Sequence, residues 1–225
     1  MMRELSRATW DDYDKACQEY HERWKVVDSV LYDLCRRYPN HSDFSEIFAK
    51  VSIIGRSYAT QIERKIPSSG QQGESITTLA EHFYENRSLL QGLFQNLSEI
   101  SEPLDENKLN TIIIDHGRTV SLIRKITRNH QNCRSFVSKY MHFHCPAVPI
   151  YDGWARECLG SLYRGKDVPK PIELPSGGDE EYYRYAMQFW NLYVEARKHR
   201  KNVTVKLLDS FILWWWAPGI SGISS

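Results

Sequence analysis

Between Trp10 and Tyr38 the apolar residues recur every three or four positions: Trp10, Tyr13, Cys17, Tyr20, Trp24, Val27, Leu31, Leu34 and Tyr38. That alternation marks a helix with one buried stripe, sustained over about eight turns. A stripe of that length must be covered by other elements, because helices gain most of their stability from packing an apolar face. Thr9, followed by Asp11 and Asp12, predicts the start of the helix, and Pro39 predicts its end. The chain then offers the partners. Asp43 is placed to cap a second helix carrying Phe44, Ile47, Phe48, Val51, Ile54, Tyr58 and Ile62 and running on to the charged ERK before Pro67. Gly55, Ser57 and Ala59 in its middle are small enough for close approach to a neighbour. A third helix is predicted over about 75–98, with Leu79, Phe83, Leu90, Leu93, Phe94 and Leu97 on one stripe, and a fourth over 109–127. The β-branched Thr111–Ile114 run also suits a strand, but the spacing after it is helical. Further helices are expected over 133–144, 154–162, 182–196 and 203–216, the last ended by Pro218-Gly219. No repeat and no convincing sheet pattern is present. The expectation is an all-α fold, a single domain over 1–225 built as one or two lobes.

Composition narrows the function. Net charge is +1, so the surface as a whole is no trap for polyanions, and affinity for nucleic acid must come from local patches. The five cysteines (Cys17, Cys35, Cys133, Cys145, Cys158) are dispersed and form no C-x-x-C pair, as expected for reduced thiols in a cytoplasm. No charged-then-apolar leader opens the chain, and FILWWWAPGI falls short of the ~20 apolar residues a bilayer requires. A cytoplasmic protein with no membrane partner is expected. There is no glycine-rich phosphate loop, no H-E-x-x-H and no G-x-S-x-G. His142 and His144 are two apart, which on a helix turns them ~200° from each other, so they cannot share a metal. No cofactor is expected, an iron–sulfur cluster included, since that needs four clustered cysteines.

The sharpest chemical signal is SFVSKYMHFHCPAVPIYDGWARECL, residues 135–159. Asp152 is the first acid after Asp115, and between them lie six Lys or Arg and four His. A second basic window, RKHRKNVTVK over 197–206, has no acid either. Each window reads as a solvated face or, with the other, as a phosphate-binding surface that gains by releasing counterions. The polar turn Arg128–Asn132 sits between two helices and offers donors next to a helix N-terminus, a natural phosphate seat.

Helix, polar hairpin, helix, proline-containing connection and a lone aspartate opening the next helix: that order resembles the helix-hairpin-helix DNA glycosylase superfamily. The residues that carry the likeness are P149-I-Y-D152 and the Gly-Trp-Ala-Arg after it, within about 112–163. The hairpin is divergent: RNHQN lacks the family's glycines, and Lys139 lies about a turn past the position of the lyase-branch lysine. The resemblance implies a monofunctional glycosylase of double-stranded DNA, acting as a monomer, with the bacterial antiphage members that excise modified bases such as phage cytosines as the narrower match. It implies that Asp152 stabilises the oxocarbenium-like sugar while also capping its helix, with Lys139 as the alternative catalytic group. Tyr140, His142, His144, Tyr151 and Trp154 would then line the base pocket, and Lys139, His142 or His144 would meet the leaving base. Arg124, Arg128, Asn129, His130, Gln131, Asn132 and Arg134 would hold the DNA. Trp214, Trp215 and Trp216 offer either a further wall or core packing. Two other readings stand beside it. Arg124 and His130 have the spacing of the HEPN-type ribonucleases, in which Arg binds phosphate and His moves a proton. The chain also suits a non-catalytic helical module that binds nucleic acid or protein.

Overall fold

The computed structural model describes residues 7–71 and 73–216. Among them are ten α-helices and one short 3-10 turn, with no strand, so the protein is all-α. Helix α1 (Arg7–Arg37) carries the long stripe and begins ahead of the expected cap at Thr9. Trp10, Tyr13 and Leu31 are buried, whereas Val27 is exposed together with Val26 and Val30. Helix α2 (Phe44–Ser57) is capped by Asp43, whose carboxylate accepts from the Glu46 amide at 3.1 Å.

Helix α2 does not run on to Ile62 as its stripe predicts. The Thr60 hydroxyl donates to the Gly55 carbonyl at 2.7 Å and takes the acceptor that the next turn would use. Ala59 and Gln61 adopt positive φ, and the chain resumes as the single turn α3 (Ile62–Lys65). The predicted 75–98 helix is likewise two, α4 (Glu74–Glu85) and α5 (Arg87–Ser98). Asn86 divides them, its side-chain amide donating to the His82 carbonyl at 2.8 Å.

Helix α6 (Glu106–Arg124), capped by Asp105, and helix α7 (Arg134–His144) flank the 3-10 turn Arg128–His130. Helix α8 (Gly153–Leu162), helix α9 (Glu180–His199) and helix α10 (Val205–Trp216) complete the described chain. The proposed Pro218-Gly219 stop lies outside the described residues.

Helix α7 is the centre of the fold. Its residues from Phe136 to Phe143 are all buried, and it packs on α1, α2, α5 and α6. Helix α9 lies against α6 and α8, and α10 against α8 and α1, so the first and last helices meet. Trp214 and Trp215 are buried in that seam, and Trp214 Nε1 donates to Glu19 at 3.0 Å. The tryptophan run is therefore core packing.

The loop from α8 to α9 is pressed onto α6 at Gly117. A Cβ there would stand 2.2 Å from the Gly177 carbonyl oxygen and 2.7 Å from the Asp179 nitrogen. Gly117→Ala should therefore push backbone away and lower stability by about 2 kcal/mol, the range of overpacked cores. Gly160→Ala, on α8 with open space at its Cβ position, should instead be neutral or gain up to about 1 kcal/mol from helix propensity. Urea unfolding of the two variants checks the contrast.

Candidate active site

The connection 145–152 has no regular structure, yet its backbone is held at nearly every step. The Val148 carbonyl accepts from His142 Nδ1 at 2.8 Å, the Pro149 carbonyl from the Tyr182 hydroxyl at 2.9 Å, and the Ile150 carbonyl from the Tyr185 hydroxyl at 2.5 Å. The Tyr151 amide donates to the Ser138 hydroxyl at 2.9 Å. Side chains of α7 and α9 thus supply the partners that a loop with two prolines cannot find in itself.

This loop delivers Asp152 to two contacts. One carboxylate oxygen accepts from the Trp154 amide at 3.0 Å and caps α8. The other accepts from Lys139 Nζ at 2.9 Å. Lys139 is buried, and its ammonium also donates to the Tyr58 carbonyl at 3.1 Å and the Ser135 hydroxyl at 3.2 Å. Its three protons are all used.

Lys139 and Asp152 line a cleft of about 380 Å³. Tyr20 and Trp24 of α1, Tyr58 just after α2 and the half-exposed Trp154 of α8 give it aromatic surface, and Lys206 and Asp209 come from α10. Trp24 and Tyr58 stack at 5.4 Å between centroids. Lys206 pairs with Asp28 at 3.0 Å, and the Tyr58 hydroxyl donates to the same carboxylate. Both lysines lie over the Tyr58 ring, at 5.9 Å for Lys139 and 5.7 Å for Lys206. Asp209 is 2 % exposed, and its Oδ1 has no hydrogen-bond partner. Burial pushes its carboxyl up to about 7, against the pull of Lys206 and Lys139 and with the push of Asp152 and Asp28.

The expected pocket residues part company here. Trp154 lines the cleft; Tyr140, His142, His144 and Tyr151 do not. Tyr140 is a core side chain whose hydroxyl meets His41 Nε2 at 2.9 Å. His142 is locked between the Val148 carbonyl and the Tyr32 hydroxyl, 2.5 Å from its Nε2, and burial lowers it to about 3, so the ring is neutral. His144 belongs to a different depression beside Phe94 and Pro146. Tyr151 turns its hydroxyl to Glu181. Tyr140 and His142 are wholly buried and hydrogen-bonded within the protein, which leaves them no face toward the cleft.

The hairpin residues Arg124, Arg128, Asn129, His130 and Gln131 are exposed, and Asn132 is half-buried. Asn129 and His130 take positive φ, at 54° and 51°, so the tight turn forms without glycine. Arg124 Nε donates to the His130 carbonyl at 2.9 Å rather than meeting its ring. Arg134 is tied to Asp179 and Glu181, each at 2.6 Å, and so is engaged within the protein. Arg128 makes no ion pair among the described residues.

Several cleft residues escaped the sequence reading: Tyr20, Trp24, Tyr58, Lys206 and Asp209. Asp209 did carry a signal, since it is the sole acid in the apolar run Val205–Trp216.

The fold and the cleft together define an all-α protein with an acid–lysine pair set beside aromatic rings. Residues 8–148 match the family model HI_0787_N, described as an N-terminal domain, and the chain belongs to that family. The match takes in α7 with Lys139 and stops before Asp152. No curated protein and no solved structure matches the chain. Among the described residues no group of three or more His, Cys, Asp or Glu is placed to hold a metal ion, and no helix is long and apolar enough to cross a membrane.

Asp209 makes a pH-dependent contribution whose sign follows from its raised value. Below about pH 4 the carboxyl is protonated in both folded and unfolded chains. From there to about 7 the unfolded chain releases the proton and the folded chain keeps it, so stability falls as pH rises. Asp209→Asn removes that loss. Its stability relative to wild type should climb between pH 4 and 7, by at most about 1.4 kcal/mol per pH unit, and stay level above. Urea midpoints of both proteins at pH 5 and pH 8 check this.

Proposed function

We propose that the protein is a monofunctional DNA glycosylase that takes a modified base from double-stranded DNA and leaves an abasic site. The observation that carries the reading is the 2.9 Å contact between Lys139 and Asp152 on an aromatic-lined cleft. Its volume of about 380 Å³ lies within the usual range of ligand sites, ~300–1,000 Å³. The order α6, hairpin, α7, pinned connection and Asp152 at the start of α8 supports the resemblance to the helix-hairpin-helix enzymes.

In this reading the target nucleotide leaves the stack at a cost of a few kcal/mol, and the base slides between aromatic faces. Asp152 faces the sugar. Its negative charge is worth most when the C1′–N bond breaks and positive charge grows on the sugar ring. Water adds its oxygen to C1′, and its proton accompanies the departing base. Lys139 aims the carboxylate. The exposed hairpin grips the phosphate backbone through Arg128, Lys125 and amide groups at the start of α7.

The same contact also favours a second course. Were Lys139 to hand a proton to Asp152, its free amine could attack C1′, form an imine and cleave the strand. The three acceptors around the ammonium favour the first course.

Incubation with duplexes that hold uracil, alkylated or oxidised bases, or hydroxymethylated and glucosylated phage cytosines tests both. Strand breaks only after alkali, reduced at least 100-fold in Asp152→Asn, are expected. Breaks without alkali, with borohydride trapping that Lys139→Ala abolishes, would establish the lyase course. No abasic site on any duplex overturns the glycosylase reading. In a separate binding assay, Arg128→Ala should weaken all duplexes alike and reduce the slope of log affinity against log salt by about 0.9, as one lost phosphate contact requires.

A further inference from the structure

The excision chemistry makes no use of Asp209, yet this carboxyl group is buried at the lining of the same cleft. Two acids, Asp152 and Asp209, and two lysines, Lys139 and Lys206, line the cleft. Lys139 pairs with Asp152 and Lys206 with Asp28, which leaves Asp209 without an ion pair among the described residues. Its Oδ1 has no partner at all. A buried oxygen of that kind destabilises the folded chain unless a ligand meets it. Asp209 shares the cleft lining with the stacked Trp24 and Tyr58 rings, aromatic surface on which a flat ring can lie.

We propose that Asp209 reads the edge of the incoming base, and that the base carries an amidine edge: a ring nitrogen beside an exocyclic amino group, as in cytosine, its 5-substituted forms and adenine. The glycosylase reading supplies only the route by which the base arrives; the contact itself stands on the cleft.

The match follows from donors and acceptors. A protonated carboxyl donates its O–H to the ring nitrogen and accepts from the amino group. If the proton moves to the ring nitrogen, the carboxylate accepts from both, and the two contacts persist. An imide edge, as in uracil or thymine, is matched by the protonated acid alone. Against a carboxylate its carbonyl oxygen meets like charge, as the lone pair of an unprotonated ring nitrogen does, so either edge needs one proton shared with the acid. The proton of Asp209 is governed by Lys206 on its own helix, Lys139 from α7, Asp152 ahead of α8 and Asp28 on α1. Tyr20 and Tyr185 also face it, and burial keeps both phenols protonated. The ring nitrogen of the amidine is basic enough to hold the proton shared with Asp209 and an imide carbonyl oxygen is not, so above neutral pH the shared proton favours the amidine edge, and a site built on hydrogen bonds rejects the wrong edge strongly.

The test is calorimetric titration of the whole chain at pH 8 with free cytosine, adenine, uracil and thymine, in wild type, Asp209→Asn and Asp209→Leu. Cytosine and adenine should bind at least tenfold more tightly than uracil or thymine. Asp209→Leu should weaken the two amidine bases at least tenfold. Asp209→Asn should retain them within about threefold, since an amide offers the same donor and acceptor. Urea midpoints report folding; neither variant should unfold earlier than wild type, because each removes an unpartnered carboxyl. Equal binding of uracil, unchanged binding in Asp209→Leu, no binding of any base, or a loss of stability in both variants would overturn the proposal. Asp209-dependent binding without abasic sites on any duplex would retain it and remove the glycosylase reading. Excision whose base preference ignores Asp209→Leu would do the reverse.

Discussion

A lysine cannot sit inside a helix buried on every side unless acceptors are brought to it, because an unpaired ammonium out of water costs several kcal/mol. Helix α7 imposes that condition at Lys139, which is 3 % exposed. The acceptors come from three places: Ser135 one turn back, the Tyr58 carbonyl where α2 has broken off, and Asp152 at the start of α8. One buried ammonium thereby ties the end of α2, the core helix and the cap of α8 to each other. The fold's own demand for a counter-charge brings the carboxylate to the cleft.

The surrounding backbone obeys the same rule. The 145–152 connection is fixed by His142, Ser138, Tyr182 and Tyr185, all of them buried side chains. A carboxylate held by such a scaffold keeps its orientation when a substrate arrives, and preorganisation of that kind lets a fixed charge act on a developing one. Asp209 breaks the rule that buried polar groups are paired. In a cleft where every other charge has a partner, that exception is where binding free energy can be gained.

The helices were legible because their stripes are local. The α1 stripe, the caps at Asp43 and Asp152, and the proline-bounded connection all depend on neighbours a few residues apart. The break at Thr60 was not legible, because a single hydroxyl there takes a backbone carbonyl that the apolar spacing would assign to the helix, and at Asn86 the side-chain amide joins the backbone N–H on the same His82 carbonyl. The basic stretch misled for another reason. Arg134 and Lys139 stand in a run without acids, yet Asp179, Glu181 and Asp152 reach them from later in the chain. Local charge density does not see partners that folding supplies. Tyr20, Trp24 and Tyr58 of the cleft come from α1 and the end of α2, far ahead of Asp152 in the chain, and in the sequence they read as ordinary stripe positions.

One helix links the two halves of the proposed action. The hairpin lies at the N-terminus of α7, and Lys139 follows Arg134 by five residues, a rise of about 7.5 Å. With Arg134 committed to Asp179 and Glu181, the proposed grip on DNA would fall to Arg128, Lys125 and backbone amides, which recognise phosphate and carry no sequence information. Discrimination then has to arise inside the cleft. Tyr20, Trp24, Tyr58 and Trp154 can stack on any base, and Lys139 with Asp152 addresses the sugar. In the proposed reading, the carboxyl of Asp209, with its unpartnered Oδ1, is the charged group left to tell one base from another.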